Sequence, residues 1–236
     1  MIDFHSHILP GIDDGASDVD TSIEMLRTSF SQGVDEIFAT PHFYAEDTDP
    51  YKFIKDRDEA FNLLMSELKR REVKDVPHIN LGCEVYFFPG MADAQDIYDL
   101  KQGDTSFLMI EMPFEPVSDY LLMEMQQTGE YLGLDIVVAH LDRYIRMFDD
   151  YSLIRRVNER NMYIQFNAKA FTDSKFSPFA IDCLKEGFID FIGSDAHSMG
   201  TRRPNIKEAA DAIRKNGAAS YFADMNEMSY KMLKIQ

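Results

Sequence analysis

Cysteine is almost absent from this chain, and positive charge is scarce. Only Cys83 and Cys183 occur among 236 residues, too few for a disulfide framework or a four-thiolate zinc site. Neither begins the Cys-x5-Arg loop with which cysteine-based phosphatases cradle phosphate, so thiol catalysis has no candidate, and both thiols are expected to fill core space. Lysine and arginine number 24 against 41 aspartates and glutamates, a formal charge of -17. Such a surface repels phosphate backbones and anionic head groups, so neither nucleic acid nor membrane insertion is expected. Also missing are an apolar run of the roughly 18 residues a membrane helix needs and the basic and apolar regions of a signal peptide, so a cytoplasmic location is expected. Hydrophobic residues nevertheless make up 45%, with 18 Phe and 11 Tyr, enough for a sizeable core.

The length suits one large domain or two small ones, and a single α/β barrel commonly needs about this many residues. No segment forces a boundary, so residues 1–236 are read as one domain. Seven short apolar runs stand out: Ile2–His5, Glu36–Thr40, Ile79–Glu84, Phe107–Glu111, Ile136–His140, Tyr163–Asn167 and Ile189–Asp195. They alternate with segments of helical spacing, the βαβα rhythm of a parallel sheet. In Asp18–Gln32, Ile23, Leu26 and Phe30 share a face and Ser17 or Asp18 can cap the first turn; Tyr51–Arg71 and Val117–Tyr131 repeat the pattern. Gly33, Gly133 and Gly187 each stand between a helix and a strand, where a left-handed cap is needed.

In α/β barrels the C-terminal strand ends form the active-site face. Here those ends read His5/His7, His42, Glu84, Glu111, His140, Asn167 and Asp195/His197, so six of the seven deliver a metal-competent side chain to one rim. His5 and His7 are one residue apart and leave the same face of a strand. Of six histidines only His78, at the opposite end of its run, falls outside this set. Glu84 and Glu111 lie among nonpolar neighbours, where a lone charge is costly unless paired or metal-bound. One of Asp13 and Asp14 suffices as a ligand, and the other can serve the turn. Mixed imidazole and carboxylate donors favour Mn, Fe or Zn over calcium, and their number exceeds what one catalytic ion takes, so two or three divalent ions are expected.

The ordered set "DFHSHILPGIDDGA", "ATPHF", "GCEVY", "IEMP", "AHLDRY" and "GSDAH" resembles the polymerase-and-histidinol-phosphatase (PHP) superfamily. Within it the chain is similar to the CpsB/YwqE-type bacterial protein-tyrosine phosphatases. The resemblance spans almost the whole sequence and implies a distorted TIM-like (β/α)7 barrel with three metal ions, manganese foremost. Carried over by motif, it implies that His5, His7, Glu84 and Asp195 hold one ion, that Glu84 bridges to a second completed by Glu111 and His140, and that Asp14, His42 and His197 hold a third. Arg143 and Arg202 resemble phosphate-contacting arginines, although Arg203 is adjacent and the choice between these two stays open. Departures such as "LDRY" after His140 and Ser198 after His197 remove no ligand and bear on substrate preference.

The resemblance further implies hydrolysis of phosphotyrosine on a protein, a bacterial tyrosine kinase controlling capsule or exopolysaccharide synthesis, by water activated between cations. Three divalent ions would outweigh the four carboxylates and leave the site positive within an acidic protein. A PHP phosphoesterase acting on a small phosphate monoester is the alternative, and a non-catalytic metal-binding module a more distant one.

Overall fold

Apolar runs with inward and outward parity make strands, and here the strands curl into a ring. The computed structural model describes residues 1–234. Its elements are β1 (Ile2–Ser6), α1 (Val19–Ser31), β2 (Glu36–Ala39), β3 (His42–Phe43), α2 (Pro50–Arg70), β4 (His78–Leu81), β5 (Glu84–Tyr86), β6 (Phe107–Glu111), α3 (Asp119–Leu132), β7 (Asp135–Val138), α4 (Leu141–Phe148), α5 (Leu153–Asn158), β8 (Tyr163–Asn167), α6 (Ser177–Lys185), β9 (Phe191–Gly193), α7 (Ile206–Lys215) and α8 (Ala219–Met232). The pairings are parallel, in the orders β1-β2-β4 and β3-β5-β6-β7-β8-β9.

The second expected run, Glu36–Thr40, is β2, and a separate short strand, β3, follows it after Thr40–Pro41; the third run is interrupted at Gly82–Cys83, between β4 and β5. Proline brings no N–H to a ladder, but its carbonyl still serves: Glu84 N donates to Pro41 O at 3.0 Å, and Gly82 N to Ala39 O at 2.8 Å. The two sheets therefore run into each other across the kink. They also meet at the other seam, where Asp195 N donates to His5 O and His7 N to Ala196 O, both at 2.8 Å. The result is a distorted ring of seven parallel strand positions, as the sequence rhythm leads one to expect.

Alternate side chains divide between two apolar clusters. Phe4, Phe38, Phe107, Met109, Val137 and Phe191 plug the ring, and Phe4 stacks on Phe191 with centroids 3.9 Å apart. Residues of opposite parity, among them Ile37, Leu108, Ile136 and Ile164, join the larger cluster under the helices. The plug leaves the C-terminal strand ends to polar side chains.

Local signals set the helices. Asp18 caps α1 by accepting from Thr21 N at 2.8 Å, and Ser118 caps α3 by accepting from Leu121 N at 3.1 Å. On α1, Ile23 and Leu26 are buried, but Phe30 in the last turn is 45% exposed, so the packed stripe stops short of the expected face. Gly33, Gly133 and Gly187 have φ of 86, 66 and 75°. Cys83 and Cys183 are free and buried. Among the described residues, no helix is long and apolar enough to cross a membrane.

Candidate metal centre

Three backbone irregularities aim side chains that simple alternation would misplace. The β1 register shifts between Asp3 and Ser6, so Phe4 joins the apolar plug while His5 and His7 both still reach the rim above it. His140 and Asp195, just beyond β7 and β9, have φ of 33 and 52°. A left-handed non-glycine backbone is strained and persists where surrounding contacts enforce it. Glu84 needs no such device, because it is in register with His42 on β3 and Met109 on β6.

The nine expected side chains converge. His5 Nε2 is 3.0 Å from Glu84 Oε2 and 3.8 Å from Asp195 Oδ1; His7 Nε2 is 3.2 and 3.6 Å from the same two oxygens. His140 Nε2 is 2.9 Å from Glu84 Oε1 and 3.3 Å from Glu111 Oε1. His42 Nδ1 is 3.2 Å from Glu84 Oε2 and 3.6 Å from Glu111 Oε2. Asp14 Oδ1 is 3.3 Å from His197 Nε2 and 3.6 Å from His42 Nε2. Three groups have donor atoms close enough to share an ion: His5, His7 and Glu84; His42, Glu84 and Glu111; and His7, Asp14, His42 and His197. Glu84 thus lies between the first two, and His42 and His7 each reach two groups, which is more overlap than the motif-based partition implies.

The donor chemistry fits cations. His5 Nδ1–H donates to Gln165 Oε1 at 3.2 Å, His7 Nδ1–H to Asp13 Oδ2 at 2.7 Å, and His197 Nδ1–H to the Asp195 carbonyl at 3.0 Å. Each ring therefore turns its Nε2 toward the cluster, the arrangement of metal-ligating histidines. His5 Nε2 and His7 Nε2 face each other at 3.1 Å, a contact that needs a proton or cation between two lone pairs. His42 Nδ1 and His197 Nε2 are buried without a hydrogen-bond partner, and such atoms are costly unless something binds them.

Electrostatics tell the same story. Burial disfavours a charged His7, yet hydrogen bonds to Asp13 and Glu84 outweigh it and raise the ring to about 10. His140 is likewise raised to about 9, against burial, by Glu111 and Glu84. Burial and the neighbouring His7 push His197 down to about 3. Burial would raise Glu84, but the surrounding imidazoles hold its carboxyl well below the usual range. The carboxylates therefore attract positive charge strongly, and in the absence of other cations they take it as protons on His7 and His140.

Arginines close one side. Arg202 Nη2 is 2.7 Å from Asp195 Oδ1 and its Nη1 3.7 Å from Asp14 Oδ2. Arg203 instead pairs with Glu208 at 2.7 Å, so of the two adjacent arginines it is Arg202 that faces the cluster. Arg143 Nη1 lies 3.6 Å from Asp195 Oδ2. Three groups have a positioning role that sequence reasoning did not give them, although it placed Asn167 at the rim and left one of Asp13 and Asp14 to the turn. Asp13 holds His7, and Gln165 also accepts from His140 N at 2.6 Å and donates to Asn167, whose Nδ2 donates to Asp195 Oδ2 at 2.9 Å. Inward parity on β8 was the signal available for Gln165 and Asn167.

The chain as a whole is similar to known proteins. Tyrosine-protein phosphatase YwqE of Bacillus subtilis is 31% identical over 247 residues, covering 100% of this chain and 92% of its own. Tyrosine-protein phosphatase CpsB of Streptococcus agalactiae is 27% identical over 224 residues, covering 90% and 89%. A crystal structure from work on YwqE and on CpsB of Streptococcus pneumoniae, described as unique metal-dependent tyrosine phosphatases, superposes with a TM-score of 0.85 at 27% identity, covering 100% of this chain and 95% of that one. Residues 1–233 match the family described as capsular polysaccharide synthesis, CpsB/CapC, and the chain belongs to that family.

Proposed function

We propose that this protein is a metal-dependent phosphatase that hydrolyses phosphotyrosine on a protein substrate, a cognate bacterial tyrosine kinase controlling capsule or exopolysaccharide synthesis. The observation that carries the reading is the convergence of five imidazoles and four carboxylates on the rim of one parallel ring. His5, His7, Glu84 and Asp195 would hold one ion; Glu84, Glu111 and His140, with His42 close by, a second; Asp14, His42 and His197 a third. Manganese suits this donor set, as do iron and zinc. When bound, such ions supply Lewis acidity toward phosphoryl oxygens and make water acidic enough to act as a nucleophile near neutral pH.

The chain's own groups do the rest. Arg143 and Arg202 present guanidinium N–H groups to the non-bridging phosphoryl oxygens, a role suited to their planar forks. Gln165 and Asp13 keep protons on the outer nitrogens of His5 and His7, so both rings coordinate through Nε2. The apolar plug beneath the rim excludes bulk water from the floor of the site and strengthens these interactions. The β1–β9 hydrogen bonds, joining the first strand to the last, support reading residues 1–236 as one domain, and we place the protein in the cytoplasm, where its kinase substrate would present phosphotyrosine.

A panel of phosphotyrosine peptides, phosphoserine peptides and small phosphate monoesters, assayed with added manganese, tests the reading. Turnover greatest on phosphotyrosine peptides is expected. A preference of 10-fold or more for a small phosphate monoester would transfer the assignment to a metabolite phosphatase.

A further inference from the structure

The rim of the metal centre is chemically divided. Arg143 and Arg202 stand on the side built by β7 and β9. Further round the rim, successive strand positions place aromatic rings: Tyr44 directly after β3, Tyr86 at the end of β5, and Phe114 just beyond β6, next to β7. Tyr44 and Phe114 are 37 and 47% exposed, and Tyr86 is half-buried. Tyr44 lies 5.4 Å from Tyr86 and 5.4 Å from the His42 ring, centroid to centroid. Phe114 stacks on Tyr144 at 5.6 Å and 14° and carries the Arg143 guanidinium 5.1 Å from its ring centre. A cleft of about 350 Å³ opens beside His42 and Asp14, with Tyr44, Ile12 and Phe53 as its apolar wall.

We infer that this aromatic arc is the subsite for the leaving group, receiving the aryl ring of the substrate while the arginines hold the phosphoryl oxygens. The inference rests on the proposed function and adds what that reading leaves open, namely which residues select an aryl over an alkyl phosphate. Three observations support it. Two of the rings, Tyr44 and Phe114, are exposed beside the site. Tyr44 and Tyr86 border the metal cluster beside His42, away from the arginines, and Phe114 closes the arc where it meets Arg143. Aromatic faces bind a flat ring through area and quadrupole together, whereas an alkyl chain gains only the area. Phe114 has a second task, because its contact with Arg143 fixes where that guanidinium meets phosphate.

The test uses Tyr44→Leu, Phe114→Leu and Tyr44→Phe in the full chain, loaded with manganese. Inhibition constants are measured for phenylphosphonate, which carries the ring, and for inorganic phosphate, which does not. Each leucine variant is expected to weaken phenylphosphonate by about 5- to 10-fold, the worth of one aromatic contact, and inorganic phosphate by less than about 2-fold for Tyr44→Leu. Tyr44→Phe should retain wild-type inhibition, and manganese content per chain should not change. Unchanged phenylphosphonate inhibition in both leucine variants overturns the inference. So does an equal loss for both anions at Tyr44→Leu. Either result leaves phosphotyrosine hydrolysis by the wild-type protein intact, whereas a wild-type protein that turns over no phosphotyrosine overturns the proposed function as well.

Discussion

Asp13 and Asp14 are neighbours in sequence, yet their surroundings assign them different work, and conservative substitution separates the two. Asp13 accepts the His7 Nδ1–H at 2.7 Å and also Gly15 N at 2.9 Å and His42 N at 3.1 Å. Those donors bring its carboxyl down to about 2, against the burial that would raise it. Asp13→Asn keeps the shape and one acceptor oxygen but removes the charge that makes His7 a strong donor of its Nε2 lone pair. Losing such a supporting partner typically weakens metal affinity about 10- to 100-fold, or about 1.4–2.7 kcal/mol. Phosphotyrosine turnover should therefore collapse at low manganese and return to within about 3-fold of wild type at saturation. Asp14 Oδ1 instead faces His197 Nε2 and His42 Nε2 directly, at 3.3 and 3.6 Å, so Asp14→Asn should not be rescued by manganese. Titrating manganese against a chelator of known affinity gives the binding constants, and initial rates over the same titration give the rescue. If Asp13→Asn binds manganese like wild type, or if the two variants behave alike at saturation, the division of roles is wrong.

Other consequences can be checked independently. His7 and His140 are raised to about 10 and about 9 by their carboxylate partners, so below those values both carry protons that metal must displace. Manganese added near pH 8 in dilute buffer should release up to about two protons per chain, and thermal stabilisation by manganese should grow between pH 6 and 9; no proton release would contradict histidine ligation. At Gly193 a Cβ would lie 2.4 Å from His5 Cβ and 2.9 Å from His5 N; Gly193→Ala should cost about 1–3 kcal/mol in denaturant unfolding and reduce metal content. Burial pushes the Asp190 carboxyl up from 3.8 to about 6, so its protonated form stabilises the fold fully below about pH 4, and that contribution is lost as pH rises through about 6. Asp190→Asn should gain on wild type by about 1–3 kcal/mol between pH 4 and 7, read from paired unfolding curves; parallel pH profiles would refute the burial argument.

Much of the site was legible because its chemistry rides on strand ends. Five of six histidines end apolar runs, and Glu84 and Glu111 do the same, so parity and position were enough to collect them. The fold was legible for a similar reason, since most strand patterns are separated from the next by a helix, the β5–β6 connection being the exception. What stayed hidden depends on three-dimensional exceptions. The kink at Gly82 splits one run and a separate short strand follows Pro41, and the shift in β1 lets Phe4 and His5 both face inward. Neither is encoded by period alone. Left-handed backbone at His140 and Asp195 is imposed by the packing around residues that do not favour it locally. Gln165 looked like an ordinary strand residue, and only the folded ring brings it against His5 and the His140 backbone. The choice between Arg202 and Arg203 likewise waited on Glu208, which draws Arg203 away.

The central claim is that these imidazoles and carboxylates hold divalent ions without which phosphotyrosine is not hydrolysed. Chelator-stripped protein should be assayed on phosphotyrosine while manganese is added back and bound metal is counted by elemental analysis. The expected result is negligible turnover when stripped and activity rising in step with binding to about two or three ions per chain. Full turnover by the stripped protein, or no retained ion at saturating manganese, would contradict the account.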